Sequence, residues 1–474
     1  MTFPPGSGCR ASVGPLAQCR RGWRSAWLAW ARGAVVIARS VAPGSRSRRW
    51  ALSTVTSLIL TTLPAHAADA PLSLAETLRI AVEQSPELAA QRAMAEGASI
   101  GIVPAGALPD PKMKIAYESW PVTTFERWTR YDPMTMLRVG FSQEFPGGKK
   151  LALRTQRAKQ DEQRQFTMID VQRAIVQRDA ATAWVTRYFA DKAEAKVTDQ
   201  IAEAELAVET SNAQYRAGKA TQAELIALQS AVVELKNRRT EIGVQVKRAK
   251  IALARFIGAD VDRPLGDTPD LTRLPPAVAN TVDIDELPEV RATLAREAVA
   301  AADANLARED YWPDWKVELS YAWRGNAPYI QVPFLPPQGG EPYAQLVSLE
   351  LTVDLPLFGR TRQGPRLAAK LKELDAARAA REEAKRQQSA EVQGMAAEWE
   401  SARTQAMRIK NDLIPLAIQR REAALAVYRG GTGTLAAVLE ARRDELDARL
   451  SLIQQEQAAG RAWAWLAFVF PVTE

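Results

Sequence analysis

Two different periodicities divide the chain. Trp315, Val317, Leu319, Tyr321 and Trp323 alternate with Lys316, Glu318, Ser320, Ala322 and Arg324, and Val347, Leu349, Leu351, Val353 and Leu355 alternate with Ser348, Glu350, Thr352 and Asp354. An earlier pair of segments does the same. Met113, Ile115 and Tyr117 oppose Lys114, Ala116 and Glu118, while Leu137, Val139, Phe141 and Phe145 oppose Arg138, Gly140, Ser142 and Glu144. A period of two predicts strands with one apolar and one polar face. Each segment has about the 9–11 residues that a tilted membrane strand needs, with Trp120, Phe145, Trp315 and Trp323 near strand ends, where an interfacial girdle would lie. A soluble two-sided antiparallel sheet produces the same alternation, so the pattern leaves both open.

The rest reads as helix. No proline occurs between Pro146 and Pro264, and Ala, Glu, Gln, Lys and Arg dominate there. A helix from Lys150 to Ala217 would be ~100 Å long at 1.5 Å per residue, which places it in a coiled coil or an elongated bundle. Gly218 ends it, and a second helix is predicted over Gln222–Ile257. The same plan recurs from about Arg362 to Tyr428 and from Thr434 to Phe468, with Pro415 expected to interrupt and bend the long helix.

These elements form a repeat of roughly 200 residues. Pro86-Glu87-Leu88 recurs as Pro288-Glu289-Val290, and Pro109-Asp110-Pro111-Lys112 as Pro313-Asp314-Trp315-Lys316, with Tyr117 matching Tyr321. Glu144-Phe145-Pro146 and Gly148 recur as Asp354-Leu355-Pro356 and Gly359. Tyr215-Arg216-Ala217-Gly218 with Thr221 recurs as Tyr428-Arg429-Gly430-Gly431 with Thr434. The expected organisation is a leader over 1–67, a first repeat over 68–259, a Pro- and Asp-rich connection over 260–286 and a second repeat over 287–474.

Charge changes meaning once it is placed. The chain of 474 residues carries a formal charge of +7, which by itself would suit a nucleic-acid or membrane-surface partner. Nine arginines and no acid lie within residues 1–67, leaving 53 basic against 55 acidic residues downstream. The basicity belongs to the leader, which argues against a nucleic-acid partner. Arg46, Arg48 and Arg49 precede a short apolar core from Ala51 to Leu63, and Ala65-His66-Ala67 supplies small residues at both positions of an A-x-A cleavage site. The 45 residues ahead of that n-region predict a translation start downstream of Met1.

Cys9, Cys19 and His66 are the only cysteines and histidine. The exported part would then lack both residue types, which excludes disulfides, Cys/His zinc sites, cysteine nucleophiles and Ser-His-Asp chemistry, and lipidation at the cleavage point. No cofactor, metal site or catalytic group is predicted. Gly430-Gly431-Thr432-Gly433-Thr434 lacks the G-K-[ST] ending of a phosphate loop and reads as a turn.

Residues 72–470 resemble the outer-membrane efflux proteins of the TolC type. The resemblance rests on Leu72-Ser73-Leu74-Ala75-Glu76, Ser85-Pro86-Glu87-Leu88, Ala107-Leu108-Pro109-Asp110-Pro111, Leu355-Pro356-Leu357-Phe358-Gly359 and both Tyr-x-x-Gly turns. It implies a mostly α fold with membrane β. Four strands per chain would complete a trimeric 12-stranded barrel on a long α-helical periplasmic tunnel. It also implies a passive exit duct in the outer membrane, docking to a periplasmic adaptor and an inner-membrane pump. Phe145-Pro146-Gly147-Gly148-Lys149 and Leu357-Phe358-Gly359-Arg360 are most similar to the branch that serves heavy-metal and cation exporters. The alternative is a soluble periplasmic coiled-coil adaptor or scaffold, whose kind usually carries a compact β-barrel and a single helical hairpin.

Gly218 and Gly431 sit where long helices reverse and a positive φ is needed. Thr221 and Thr434 are placed as N-caps of the returning helices. The resemblance makes these turns the periplasmic tip, which closes the tunnel and meets the adaptor. It matches Tyr215 and Tyr428 to the tyrosines of that turn, one of which joins a closed-state hydrogen-bond network. Glu224 and Glu440 match acidic positions of the mouth, where a ring of carboxylates can select cations; Ala437 departs from members with an acid there. Both glutamates could equally be ordinary solvated helix residues.

Overall fold

The computed structural model describes residues 71–122, 132–274, 283–327, 331 and 333–470. The expected leader, with Ala65 and Ala67, and parts of the two loops between paired strands lie outside them. Within 71–470 the chain runs twice through one plan. In the first pass α1 (Leu74–Gln84) and α2 (Pro86–Gly106) lead into β1 (Lys112–Glu118), β2 (Met136–Phe145), α3 (Lys150–Arg216) and α4 (Gln222–Ile257). In the second, α5 (Pro288–Glu309) leads into β3 (Trp315–Arg324), β4 (Leu346–Val353), α6 (Gly364–Arg408), α7 (Ile414–Arg429) and α8 (Leu435–Ala467). Two hairpins of long helices, with no compact β-barrel among the described residues, are not the plan expected of an adaptor.

Pro415 acts without breaking the helix. A five-residue π turn, Ile409–Leu413, joins α6 to α7, and Pro415 occupies the opening turn of α7 with helical torsions on either side. Proline lacks the amide that would bond one turn back, and a locally widened turn accommodates both the missing donor and the ring. A second π turn, Gly359–Gln363, opens α6.

The four strands form one antiparallel sheet in the order β1-β2-β3-β4. Its register lines up the residues that alternation assigns to one face: Met113, Phe141, Leu319 and Leu349 in one row, and Ile115, Val139, Tyr321 and Val347 in the next. That face is uncovered; Ile115 is 63%, Val347 71% and Leu349 74% exposed. The opposite face carries Lys114, Gly140, Ser320 and Ser348, with Arg138 paired to Glu118 at 3.0 Å and Lys316 to Glu318 at 3.1 Å. The central strands reach ten residues, whereas the outer β1 and β4 have seven and eight, below the expected 9–11. An outer strand pairs on one side only, so its ladder defines fewer residues.

The core lies where α3, α4, α6 and α8 run side by side, around Trp184, Val185, Leu253, Trp399, Leu450 and Trp463. The stretch at Leu72 and the connecting segment are strapped across it. Trp184 Nε1 donates to Leu72 O at 3.1 Å, Trp399 Nε1 to Leu271 O at 3.1 Å and Trp463 Nε1 to Arg273 O at 2.8 Å. Arg187, only 3% exposed, donates to the carbonyls of Val261 and Arg263. Buried indole and guanidinium groups need such partners, and loop carbonyls supply them. Burial pushes the neighbouring Asp191 carboxyl up, against the pull of Arg187 and Lys250.

The two repeats also lock together where strands become helices. Gly147 N donates to Asp314 Oδ1 at 2.6 Å, Lys149 N to Glu309 Oε2 at 3.1 Å, and the buried Lys150 ammonium to Asp314 Oδ1 at 2.8 Å and Trp312 O at 2.9 Å. Thus the N-terminus of α3 is clasped by acids at the junction of α5 with β3, where anions suit a helix N-terminus.

Candidate functional site: the two helical turns

The first turn is built by Gly218, at φ +72°. Gly218 N donates to Tyr215 O at 3.0 Å and Lys219 N reaches back to Gln214 O at 2.9 Å, satisfying carbonyls that the end of α3 would leave open. Thr221 then caps α4, and the cap is reciprocal: Glu224 N donates to Thr221 Oγ1 at 3.3 Å and Thr221 N to Glu224 Oε2 at 3.0 Å. The second turn repeats this at Gly431, φ +77°, with Gly431 N bonded to Tyr428 O at 3.0 Å. Thr434 caps α8 through Ala437 N at 3.4 Å, but Ala437 cannot return the bond, so this cap is one-sided.

Glu224 has a second task. Its Oε1 accepts from the Tyr428 hydroxyl at 3.3 Å, which ties the turn of the second hairpin to the first. The bond from Thr221 N–H leads in holding the Glu224 carboxyl below its ordinary value; burial opposes it, and the Thr221 and Tyr428 hydroxyls add smaller downward effects. Tyr428 is pushed up, first by burial and then by the Glu224 charge. Both shifts favour a carboxylate facing a protonated phenol. Tyr215, 43% exposed, makes no such bond among the described residues.

Glu440 is not a solitary carboxylate. Arg420 on α7 donates to it at 3.0 Å and also pairs with Asp444 one turn along α8. Arg420, Glu440 and Asp444 together carry a net charge of −1. Sequence reasoning missed Arg420 and Asp444, although the i, i+4 spacing of Glu440 and Asp444 places both on one side of α8. It also missed Glu445, which is 5% exposed and held by Arg421 at 2.9 Å and Arg449 at 2.7 Å, fastening α7 to α8.

Between α3, α4 and α8 lies a cleft of about 440 Å³, lined by Leu228, Leu235, Arg238, Leu439, Glu440 and Arg443. Two ion pairs join α4 to α8 beside it, Arg443–Glu234 at 3.0 Å and Arg238–Asp447 at 2.7 Å. All four side chains are 40% exposed or more, and exposed pairs contribute only about 0–1 kcal/mol each. Near the turns the hairpins are therefore joined by weak polar links, whereas the Trp184 core joins them by apolar burial. Among the described residues no cluster of His, Cys, Asp or Glu could hold a metal ion, and no helix is long and apolar enough to cross a membrane.

Comparison with known proteins meets this geometry. Residues 284–469 match the family model described as outer membrane efflux protein. No curated protein matches the chain in sequence. Among solved structures, CusC is similar with a TM-score of 0.69 at 12% identity, covering 85% of this chain and 92% of that one. The outer membrane protein VceC from Vibrio cholerae gives 0.64 at 17% identity, covering 84% and 96%. The open state of the Neisseria gonorrhoeae MtrE outer membrane channel gives 0.63 at 17%, covering 84% and 88%. Residues 284–469, most of the second repeat, thus match the outer membrane efflux protein family in sequence, and the chain shares the fold of these outer membrane channels over most of its length.

Proposed function

We propose that this chain is the outer-membrane channel of a tripartite efflux system, a passive exit duct that docks to a periplasmic adaptor and an inner-membrane pump. The observation that carries the reading is the sheet: a continuous apolar face that none of the described residues covers, open edges at β1 and β4, and long helices extending from one end. An open edge is not tolerated in lipid, so the sheet must close with other copies. Two copies would give eight strands, whose interior side chains fill; three give twelve and leave a bore. A homotrimer follows. The leader, cut after Ala67, supplies the export route.

The tip is where we place the gate. Tyr215, Gly218, Thr221 and Glu224 in one turn, and Tyr428, Gly431, Thr434 and Glu440 in the other, form it, with the Tyr428–Glu224 bond as latch. The cleft between α4 and α8 offers the adaptor's helices a groove whose walls are held by weak ion pairs. Cation preference at the mouth comes from the net −1 of Arg420, Glu440 and Asp444, and the strand-to-helix segments at Phe145–Lys149 and Leu357–Arg360 favour a heavy-metal or cation exporter as the pump.

Cell fractionation followed by planar bilayer recording of the purified protein tests the reading. Outer-membrane recovery and discrete conductance steps are expected; a soluble monomer without conductance would overturn it. A deletion strain should gain sensitivity to divalent heavy metals, and sensitivity to organic drugs alone would remove the cation assignment.

A further inference from the structure

The junction that locks the two repeats inside one chain has a counterpart with half of its parts on each edge of the sheet. Within the chain, β2 pairs with β3, Phe145 opposite Trp315 and Gln143 opposite Val317, and below that pair Asp314 takes Gly147 N and Lys150. The duplication makes β1 equivalent to β3 and β2 equivalent to β4. The observed hairpins bear this alignment out, because Lys112 opposite Ser142 in the first becomes Lys316 opposite Thr352 in the second. Asp110 therefore stands where Asp314 stands, at one edge. At the other edge, the π turn after β4 carries Arg360, which falls on Lys149 when Gly359 is set on Gly148, and a second arginine, Arg362, two residues on. Among the described residues Asp110, Arg360 and Arg362 form no ion pair.

The helices beneath tell the same story. α5 lies between α3 and α6, and its Ala304 and Ala307 are buried. α2 packs along α3, touching α4 only near its start through Glu87–Arg255 among the described residues, and the equivalent Ile100 and Val103 are 74% and 79% exposed. One flank of α2 is thus apolar and unfilled at the positions that α5 buries.

We infer that β4 of one copy pairs with β1 of the next in the register of the internal β2–β3 pair, with Asp110 of one copy seated on Arg360 and Arg362 of the other. This rests on the trimeric channel reading and fixes its residues. The transferred register sets Val353 opposite Met113, Thr352 opposite Lys114, Leu351 opposite Ile115 and Leu349 opposite Tyr117. Apolar residues then meet apolar residues on the outer face, as a membrane barrel requires. A shift by one residue would put Lys114 opposite an apolar partner and turn one strand's apolar set inward. The contact is head to tail, one edge onto the other, so it closes into a ring when the rotation allows.

Residues 68–474 contain no cysteine, so paired cysteines report the register cleanly. The full-length Thr352→Cys/Lys114→Cys variant should give reductant-sensitive dimers and trimers on a denaturing gel. Within one chain those positions lie on opposite sheet edges, three strand spacings across and four residues along the strands, about 19 Å apart and too far for a disulfide. Thr352→Cys/Ala116→Cys, one diagonal step away, should not cross-link. Separately, Asp110→Arg should deplete the trimer and Asp110→Arg with Arg360→Asp and Arg362→Asp should restore it. A conducting trimer whose matched cysteines stay free, or whose diagonal pair links instead, overturns the register and leaves the channel reading intact. A soluble monomer overturns both.

Discussion

The phenolic oxygen of Tyr428 lies 3.3 Å from Oε1 of Glu224, so the second hairpin's turn is tied to the opening turn of the first hairpin's return helix. The bond is partly solvated, and a hydrogen bond of this kind contributes about 0.5–1.5 kcal/mol net. Tyr428→Phe removes it while leaving the Thr221 cap and the Trp184 core intact. The ratio of open to closed time in bilayer recordings should rise about two- to tenfold, with the thermal midpoint unchanged. Unaltered gating would show that this contact is not the latch.

Acid should open the tip in one direction only. Glu224 is held below its ordinary value chiefly by the Thr221 N–H bond, so its contribution is complete above the ordinary carboxylate range near pH ~4.3. It is lost as pH falls through the lowered value. Tyr428 is pushed up and stays protonated at neutral pH. Openings should therefore be constant from neutral pH down to about pH 5 and increase below the ordinary range. In Glu224→Gln the acid-induced part should be absent. A titration of gating near pH 7 that survives in this variant would assign the response to other groups.

Arg420 sets the net charge of the mouth proposed above. It pairs with Glu440 at 3.0 Å and with Asp444, cancelling one of two carboxylates. Arg420→Ala should strengthen block by divalent cations, Glu440→Gln should weaken it, and the double variant should fall near the parent. Reversal potentials in asymmetric salt read the same order. Equal block in all four proteins would remove Glu440 from the conducting path.

The fold was largely legible in the sequence because its elements are long and regular. Period-two alternation set the faces of all four strands, and the predicted helix over Gln222–Ile257 has those bounds in the structure. Gly218 and Gly431 adopt the positive φ their turns require. The site was less legible, since its meaning lies in contacts between hairpins far apart in sequence. Glu224 matched an acidic position of the mouth, yet Thr221-Gln222-Ala223-Glu224 is also a capping box. Its bond to Tyr428 joins residues 204 positions apart, and no local pattern encodes it. Arg420 was missed for the same reason. Conversely, Pro415 is locally conspicuous, but the π turn that accommodates it depends on the freedom of the preceding residues to widen.

Two glycines separate conformational need from close packing. At Gly218 an added Cβ meets nothing within 4 Å, but φ is +72°, so Gly218→Ala costs about 1–2 kcal/mol of local strain at the turn. At Gly147 the added Cβ would stand 1.8 Å from the Pro313 carbonyl oxygen, backbone against backbone. Ordinary overpacking costs about 1–3 kcal/mol because side chains move aside; here the strand-to-helix junction itself must part, and with it the bonds of Asp314 to Gly147 N and Lys150. Gly147→Ala should sharply lower the yield of folded, membrane-inserted protein and the thermal midpoint. Gly218→Ala should leave yield near the parent's and lower the midpoint by no more than a few degrees. If the two variants behave alike, the Asp314 junction is not the point on which the two repeats depend.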